Sequence, residues 1–129
     1  MTYPLRSCTM KSPNSKSYPF IVRPRVYLGP NLFIGPGKID LLRLVGDTHS
    51  ISAAARLLDI PYKRAWLMID SLSKGFGRPV VDAAIGGKGG GGAVLTSLGK
   101  ELIDRYTALE QCMYVAASAE LEALRVLVD

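Results

Sequence analysis

The sequence predicts a mainly α-helical domain that carries a small β-hairpin and a long C-terminal helix. Apolar residues recur at helical spacing through residues 38–76 and again after residue 97. Between these stretches, apolar runs at 80–85 and 93–95 flank a glycine-rich segment, a pattern typical of two strands joined by a long turn. With 129 residues, of which 48% are hydrophobic, the chain suits one domain with an ordinary core.

The N-terminal part predicts a tail followed by extended chain. Residues 1–20 combine Ser, Pro, Lys, Asn and Thr without an apolar period, which predicts a mostly disordered tail. Residues 21–28 favour an edge strand, because Pro24 cannot donate a hydrogen bond to a neighbouring strand. After a turn at residues 29–31, residues 32–34 are expected to extend again. Gly35-Pro36-Gly37 then opens a helix, with proline suited to its first turn.

Three short helices are expected in the middle of the chain. The first runs from Lys38 to Val45 and stops at Gly46-Asp47. The second runs from Ile51 to about Leu58 after Ser50, whose hydroxyl can cap its free amides. The third begins near Pro61 or Tyr62 and ends around residues 75–77. The spacing predicts these inward faces: Ile39, Leu42 and Val45; Ile51, Ala54, Ala55 and Leu58; Ala65, Ile69, Leu72 and Phe76.

The glycine-rich segment GGKGGGG, residues 86–92, forms the tip of the predicted hairpin. Two short helices, a tight turn, a third helix and this hairpin together make a winged helix-turn-helix over residues 21–96. Without side chains, the tip amides can approach DNA phosphates, and Lys88 adds a charge there. A disordered loop in the free protein is the alternative. A phosphate-binding loop of the G-x-x-x-x-G-K-[ST] type is excluded, because Asp82 and Gly89 break its pattern.

The last segment, residues 97–129, predicts a helix capped by Thr96 or Ser97 that runs to the C-terminus, since no Gly or Pro follows Gly99. About 30 residues of helix would reach about 45 Å, more than one small domain covers. The surplus favours a homodimer interface over a helix that bends back on its own core. Its apolar stripe consists of Leu102, Tyr106, Leu109, Met113, Ala117, Leu121, Leu124 and Val128.

The charge distribution favours a nucleic-acid partner without requiring one. Residues 1–39 contain six Lys/Arg and no acidic residue, whereas residues 96–129 contain three bases and six acids. A basic front facing DNA and a soluble domain with a basic tail both fit this asymmetry. His49 is the only histidine, and no His/Cys/carboxylate cluster has metal-ligand spacing, so catalysis, a cofactor and a metal are not expected.

The sequence composition also predicts the cellular location of the protein. The chain has no apolar run of about 18 residues, so no membrane span is expected. Its two cysteines, Cys8 and Cys112, do not suggest a disulfide framework, and a cytoplasmic protein with free thiols is the simplest interpretation.

The expected DNA contacts lie on the third helix, the second helix and the hairpin tip. Lys63 and Arg64, at the start of the third helix, are the best candidates for base edges or phosphates, with a solvated charged turn as the alternative. Ser50 and Ser52 can donate to phosphate, although Ser50 serves equally well as a cap alone. Trp66 is assigned to packing at the core or its rim, and Asp70 to a cytosine amino group or a neighbouring cation. The predicted DNA-binding residues are Tyr62, Lys63, Arg64, Leu67, Lys74, Ser50, Ser52, Lys88, Gly87 and Gly89.

Four segments resemble, in order, the N-terminal domain of ModE-type molybdate-responsive transcriptional regulators, a LysR-like winged helix. The resemblance covers about residues 22–110, and its most specific part is the third segment followed by the fourth. Two departures concern Pro61, where the family often has serine or threonine, and Asp59, where glycine is common; aspartate tolerates a left-handed backbone better than most residues. The segments are GPGKIDLL at 35–42, SISAAA at 50–55, YKRAW at 62–66 and GGKGGGGAVLT at 86–96.

The resemblance implies a dimeric transcription factor that binds double-stranded DNA. Full-length members add C-terminal domains that bind molybdate or tungstate, and residues 1–129 provide no such site, so molybdate is not expected on this chain. The alternative functions are a winged-helix interaction module that dimerises with a full-length regulator, or a standalone sensor of oxyanions.

Overall fold

A computed structural model of the protein describes residues 21–84 and 92–128. The predicted tail, residues 1–20, and the hairpin-tip residues Gly87, Lys88 and Gly89 lie outside the described residues. The chain divides into two compact units. One is Arg25–Asp104, and the other contains, among the described residues, 21–24 and 105–128.

The predicted mainly α fold with a hairpin wing is confirmed. Helices α2 and α3 form the helix-turn-helix, and strands β3 and β4 pair in antiparallel register from Val81↔Leu95 to Ala84↔Gly92. A second hairpin pairs β1 with β2, where the sequence predicted an edge strand at 21–28, a turn at 29–31 and extended chain at 32–34 but no pairing. The described elements are β1 Val26–Gly29, β2 Leu32–Ile34, α1 Pro36–Thr48, α2 Ile51–Leu57, α3 Tyr62–Phe76, β3 Val81–Ala84, β4 Gly92–Leu95, α4 Ser97–Ala116 and α5 Ser118–Arg125.

The core of the Arg25–Asp104 unit is built from one face of each helix. The predicted inward residues of α1 and α3 are buried, except Phe76, which is half-buried at the end of α3. In α2 the small pair Ala54 and Ala55 is buried, which lets the neighbouring helices approach closely. The side chains that form this core are Ile39, Leu41, Leu42, Val45, Ala54, Ala55, Ala65, Ile69, Leu72, Val80, Ala93 and Leu102.

Helix α1 continues past Gly46-Asp47, so its predicted stop at Val45 is wrong. A Cβ atom at Gly46 would lie 2.8 Å from Cδ1 of Leu95, so this glycine permits close approach of β4 to the helix rather than ending it. The helix instead ends where His49 adopts a left-handed conformation with φ 57°, and its N–H donates to the carbonyl of Val45 at 2.8 Å.

The predicted long C-terminal helix is present as α4, but it does not run unbroken to the C-terminus. Ala117, at φ −99° and ψ 9°, leaves helical geometry, and α5 begins at Ser118. Glu120 stands in the first turn of α5, where an acidic side chain is favoured, so the local sequence suits a new helix start.

Burial along the predicted stripe declines toward the C-terminus. Leu102 and Tyr106 are buried, and the Tyr106 hydroxyl donates to the carbonyl of Pro24 at 2.6 Å. Farther along, Met113 is partly exposed and the Leu124 side chain is 61% exposed. The C-terminal part of the stripe therefore presents apolar surface to solvent.

Candidate nucleic-acid interface

The turn between α2 and α3 places the first turn of α3 at the surface. Asp59 adopts the left-handed conformation that the sequence allowed for it, with φ 57°. The amide of Ile60 then donates to the carbonyl of Ala55 at 3.0 Å, which closes the turn. Pro61 precedes α3 in an extended conformation without a side-chain cap, and the amide of Ala65 donates to its carbonyl at 3.1 Å.

The cationic start of α3 is exposed, as a DNA-contacting helix requires. Tyr62, Lys63 and Arg64 all have exposed side chains, while Ala65 beside them is fully buried. Leu67, one turn farther along, is 54% exposed despite being aliphatic. Helices that enter the major groove usually read bases with their N-terminal residues, so this geometry suits such a helix.

Lys74 and Asp70 form an ion pair on the exposed face of α3. The Nζ atom of Lys74 lies 2.9 Å from Oδ2 of Asp70. The hydrogen bond and negative charge of Asp70 raise the pKa of Lys74 above 10.5. Of the two roles expected for Asp70, holding a neighbouring cation is the one that this geometry displays.

The two serines at the start of α2 have different partners. The Oγ atom of Ser50 accepts a hydrogen bond from the amide of Ala53 at 3.0 Å, so Ser50 is the N-cap of α2. The Oγ atom of Ser52 accepts from Nη1 of Arg56 at 3.2 Å, on the exposed side of the helix. The sequence interpretation missed Arg56, although its spacing of four residues from Ser52 predicts this contact.

Strand β4 joins the wing to the connection that precedes α2. The amide of Ala93 donates to the carbonyl of His49 at 2.8 Å. At the other end of β4, the Thr96 hydroxyl accepts from the amide of Gly99 at 3.1 Å, which makes Thr96 the cap of α4. Strand β4 is thereby bonded to the connection before α2 and leads directly into α4.

A groove of about 460 Å³ separates α3 from the wing strands. Tyr62 and Trp66 line its helical side, and their side chains are 55% and 48% exposed. The position of Trp66 fits the rim of the core, and its half-exposed ring also faces solvent. The remaining described lining residues are Ile51, Ile69, Asp70, Ser73, Pro79, Val81, Asp82, Ala83, Gly92 and Ala93.

Lys38, part of the basic front, is buried and contributes to packing. Its Nζ atom donates to the carbonyl of Phe33 at 3.1 Å and to the hydroxyl of Ser71 at 3.3 Å, and it lies 3.8 Å from the centre of the Phe33 ring. Burial lowers the pKa of Lys38 below 10.5, and the charge of Arg25 lowers it further. The positive charge counted in the sequence is therefore only partly available at the surface.

These features define a winged helix-turn-helix domain with an exposed cationic start of α3. The chain is 48% identical over 77 residues to the molybdenum-pterin-binding protein MopB of Rhodobacter capsulatus, covering 60% of this chain and 28% of that protein. It is 43% identical over 84 residues to the DNA-binding transcriptional dual regulator ModE of Escherichia coli K12, covering 65% and 32%. It is 44% identical over 82 residues to the transcriptional regulator ModE of Yersinia pestis, covering 64% and 31%.

These matches confirm the ModE-type relationship that the sequence motifs indicated. The chain spans about a third of the length of the curated relatives that it matches. No protein-family profile matches the chain. Among the described residues, no helix is both long enough and apolar enough to cross a bilayer.

Proposed function

We propose that this chain is a sequence-specific regulator of transcription that binds double-stranded DNA. The observation that carries the proposal is the exposed cationic first turn of α3, held by a helix-turn-helix whose α2 is connected to a wing. A helix presented in this way fits the major groove. Similarity to proteins named as ModE regulators supports the same function.

Each predicted site residue has a role in this proposal. Lys63 and Arg64 contact guanine edges or phosphates, while Tyr62 and Leu67 supply apolar contact beside them. Lys74, released from Asp70 near a phosphate, contacts the backbone farther along the groove. At the start of α2, the hydroxyl groups of Ser50 and Ser52 donate hydrogen bonds to phosphate oxygens. Lys88 and the amides of Gly87 and Gly89, outside the described residues, hold the flanking backbone.

The proposed active form is a homodimer that pairs through residues 97–129. Residues 21–96 then act as the DNA-binding domain of each subunit, and the dimer sets the spacing of two half-sites. The exposed apolar residues of α5 and its C-terminal extension support this arrangement, because pairing would cover them. The proposed location is the cytoplasm, because a regulator of transcription must reach DNA.

Selection of bound duplexes from a random pool tests this function. We expect a palindromic site, since a two-fold symmetric dimer reads two inverted half-sites. Lys63→Ala or Arg64→Ala should cost about 1–3 kcal/mol of binding on that site where the residue reads a base. Lys100→Ala, which removes an exposed lysine of α4, is the matched control. Failure to enrich any sequence would contradict specific binding.

A second candidate function is an interaction module that dimerises with a full-length regulator. The exposed apolar surface of the C-terminal residues favours it, because such a surface suits pairing with another helix. Salt dependence separates the two functions. DNA binding through several phosphates weakens steeply between about 50 and 200 mM salt, whereas apolar helix pairing hardly changes.

A further inference from the structure

The groove between α3 and the wing has a chemistry that differs from the rest of the proposed interface. Its floor and walls are mostly apolar, with Ile51, Ile69, Val81 and Ala93 among the contributors. The charged groups among its described lining residues are the carboxylates of Asp70 and Asp82, and none of these residues is a lysine or arginine. Asp70 is paired with Lys74, but the described lining offers a phosphate no cationic side chain and one further carboxylate, Asp82, so the groove is unsuited to the DNA backbone.

Tyr62 and Trp66 form an aromatic wall of this groove, and exposure of that wall to water is unfavourable in free energy. Tyr62 and Trp66 are one helical turn apart, so their rings lie on the same flank of α3. Both rings remain about half exposed, although large aromatic side chains usually gain most of their stabilisation from burial. An apolar group that entered the groove would cover this surface and release water from it.

The major groove of DNA offers one apolar group that fits these requirements. Among the base edges exposed there, the 5-methyl group of thymine is apolar, whereas the other groups are hydrogen-bond donors or acceptors. On the proposed function, on which this inference rests, α3 brings the Tyr62 and Trp66 wall toward those edges. We propose that Trp66, supported by Tyr62, contacts a thymine 5-methyl group in each half-site and is a specificity-determining residue.

Replacement of thymine by uracil tests the contact without altering the protein. The probe is the duplex that the wild-type chain selects from a random pool, with each thymine replaced singly by uracil, which removes only the methyl group. We expect wild-type affinity to fall about fourfold at one thymine of each half-site, the loss expected for one buried methyl group. Equal affinity for all the uracil duplexes would overturn the inference while leaving DNA binding intact.

A pair of variants then assigns the contact to Trp66. Trp66→Ala should bind thymine and uracil equally at the sensitive position and should keep the wild-type dependence on salt, because it removes no phosphate contact. Leu57→Ala is the control, since Leu57 on α2 is 65% exposed but neither lines the groove nor belongs to the proposed DNA contacts. It should keep the thymine preference at that position. Discrimination that persists in Trp66→Ala would overturn the assignment.

Two further outcomes separate this inference from the proposed function. Trp66→Phe retains an aromatic wall and should preserve part of the discrimination, which guards against a folding defect in the alanine variant. If the wild-type chain selects no duplex, the regulator function fails and this inference fails with it. If Trp66→Ala instead abolishes capture of a protein partner and leaves DNA binding unchanged, the groove binds protein and the thymine contact is refuted.

Discussion

The Nζ atom of Lys74 lies 2.9 Å from Oδ2 of Asp70, one turn earlier on the exposed face of α3. Surface ion pairs of this kind add little to stability. Their effect on a DNA-binding helix is larger, because the carboxylate occupies a cation that could otherwise meet a phosphate. The Asp70–Lys74 pair therefore opposes uniform binding to the DNA backbone.

Asp70→Asn should increase affinity for random-sequence duplex, because it frees Lys74 and removes one negative charge from α3. The slope of log affinity against log salt should steepen by about one unit, as expected for one added phosphate contact. Fluorescence anisotropy at several salt concentrations measures both quantities. Glu122→Gln on α5 changes net charge equally but alters no residue of α3, and it should leave the slope unchanged.

Ser50 combines a structural role with a proposed phosphate contact, and two substitutions separate them. Ser50→Ala removes the cap on the Ala53 amide and should destabilise the fold by about 1 kcal/mol. Ser50→Asp restores a cap of equal quality, so stability in urea should return to the wild-type value. Its charge should nevertheless weaken DNA binding. An aspartate variant that binds DNA like wild type would show that Ser50 is a cap only.

Gly99 lies so close to the wing that a side chain cannot be added. A Cβ atom there would collide with the backbone oxygen of Val80, so Gly99→Ala should destabilise the fold by about 1–3 kcal/mol. Gly37→Ala is the matched control in α1, where the new Cβ would lie 3.7 Å from Cε of Met68, an ordinary contact. Gly37 is exposed in the first turn of α1, so that change should alter the free energy of unfolding by no more than about 0.5 kcal/mol. Urea midpoints compare the two.

Lys38 should give the protein an alkaline rise in stability. Its pKa in the folded state is lowered from 10.5 by burial and then by Arg25, so the unfolded chain holds more protons between the two pKa values. The free energy of unfolding therefore increases as pH rises through that interval. Lys38→Met should abolish this contribution, whereas Lys100→Met, which removes an exposed lysine, should retain it. Urea unfolding across neutral to alkaline pH measures the difference.

Leu124, 61% exposed on α5, should lie in the proposed dimer interface. Leu124→Lys places a charge on the apolar stripe and should shift the protein from dimer to monomer in sedimentation equilibrium. Ala123→Lys adds the same charge at an exposed position of α5 that is not on the stripe, and it should remain dimeric. A wild-type chain that is monomeric at all accessible concentrations would rule out the homodimer.

Local sequence patterns were sufficient for the helix-turn-helix. The cap at Ser50, the start of α3 at Tyr62 and the inward face of Ala65, Ile69 and Leu72 depend on contacts within one or two turns. Such contacts are encoded by neighbouring residues, so periodicity and capping rules predict them. The roles of the tip residues Gly87, Lys88 and Gly89 stay predictions.

Contacts between segments that are distant in the sequence account for the differences between the predicted and the observed structure. The sequence predicted a helix stop at Gly46. A glycine is needed there because Leu95 packs against it, and Leu95 belongs to a strand far along the chain. Lys38 counts toward the basic residues 1–39, and its burial was not predicted because its partner Ser71 lies 33 residues away on another helix. Neither relationship has a local signal, so one sequence without its fold cannot reveal them.

The hydrogen bond from Ala93 to the carbonyl of His49 also bears on how the protein resists aggregation. A strand at the margin of a sheet exposes unpaired amides that recruit strands of other molecules. In β4 the outward amide of Ala93 is already occupied by the chain itself. A strand of another molecule could pair along this edge only after that hydrogen bond was broken. The bond therefore protects the two-stranded β3–β4 hairpin, which has no further strand to cover its edge.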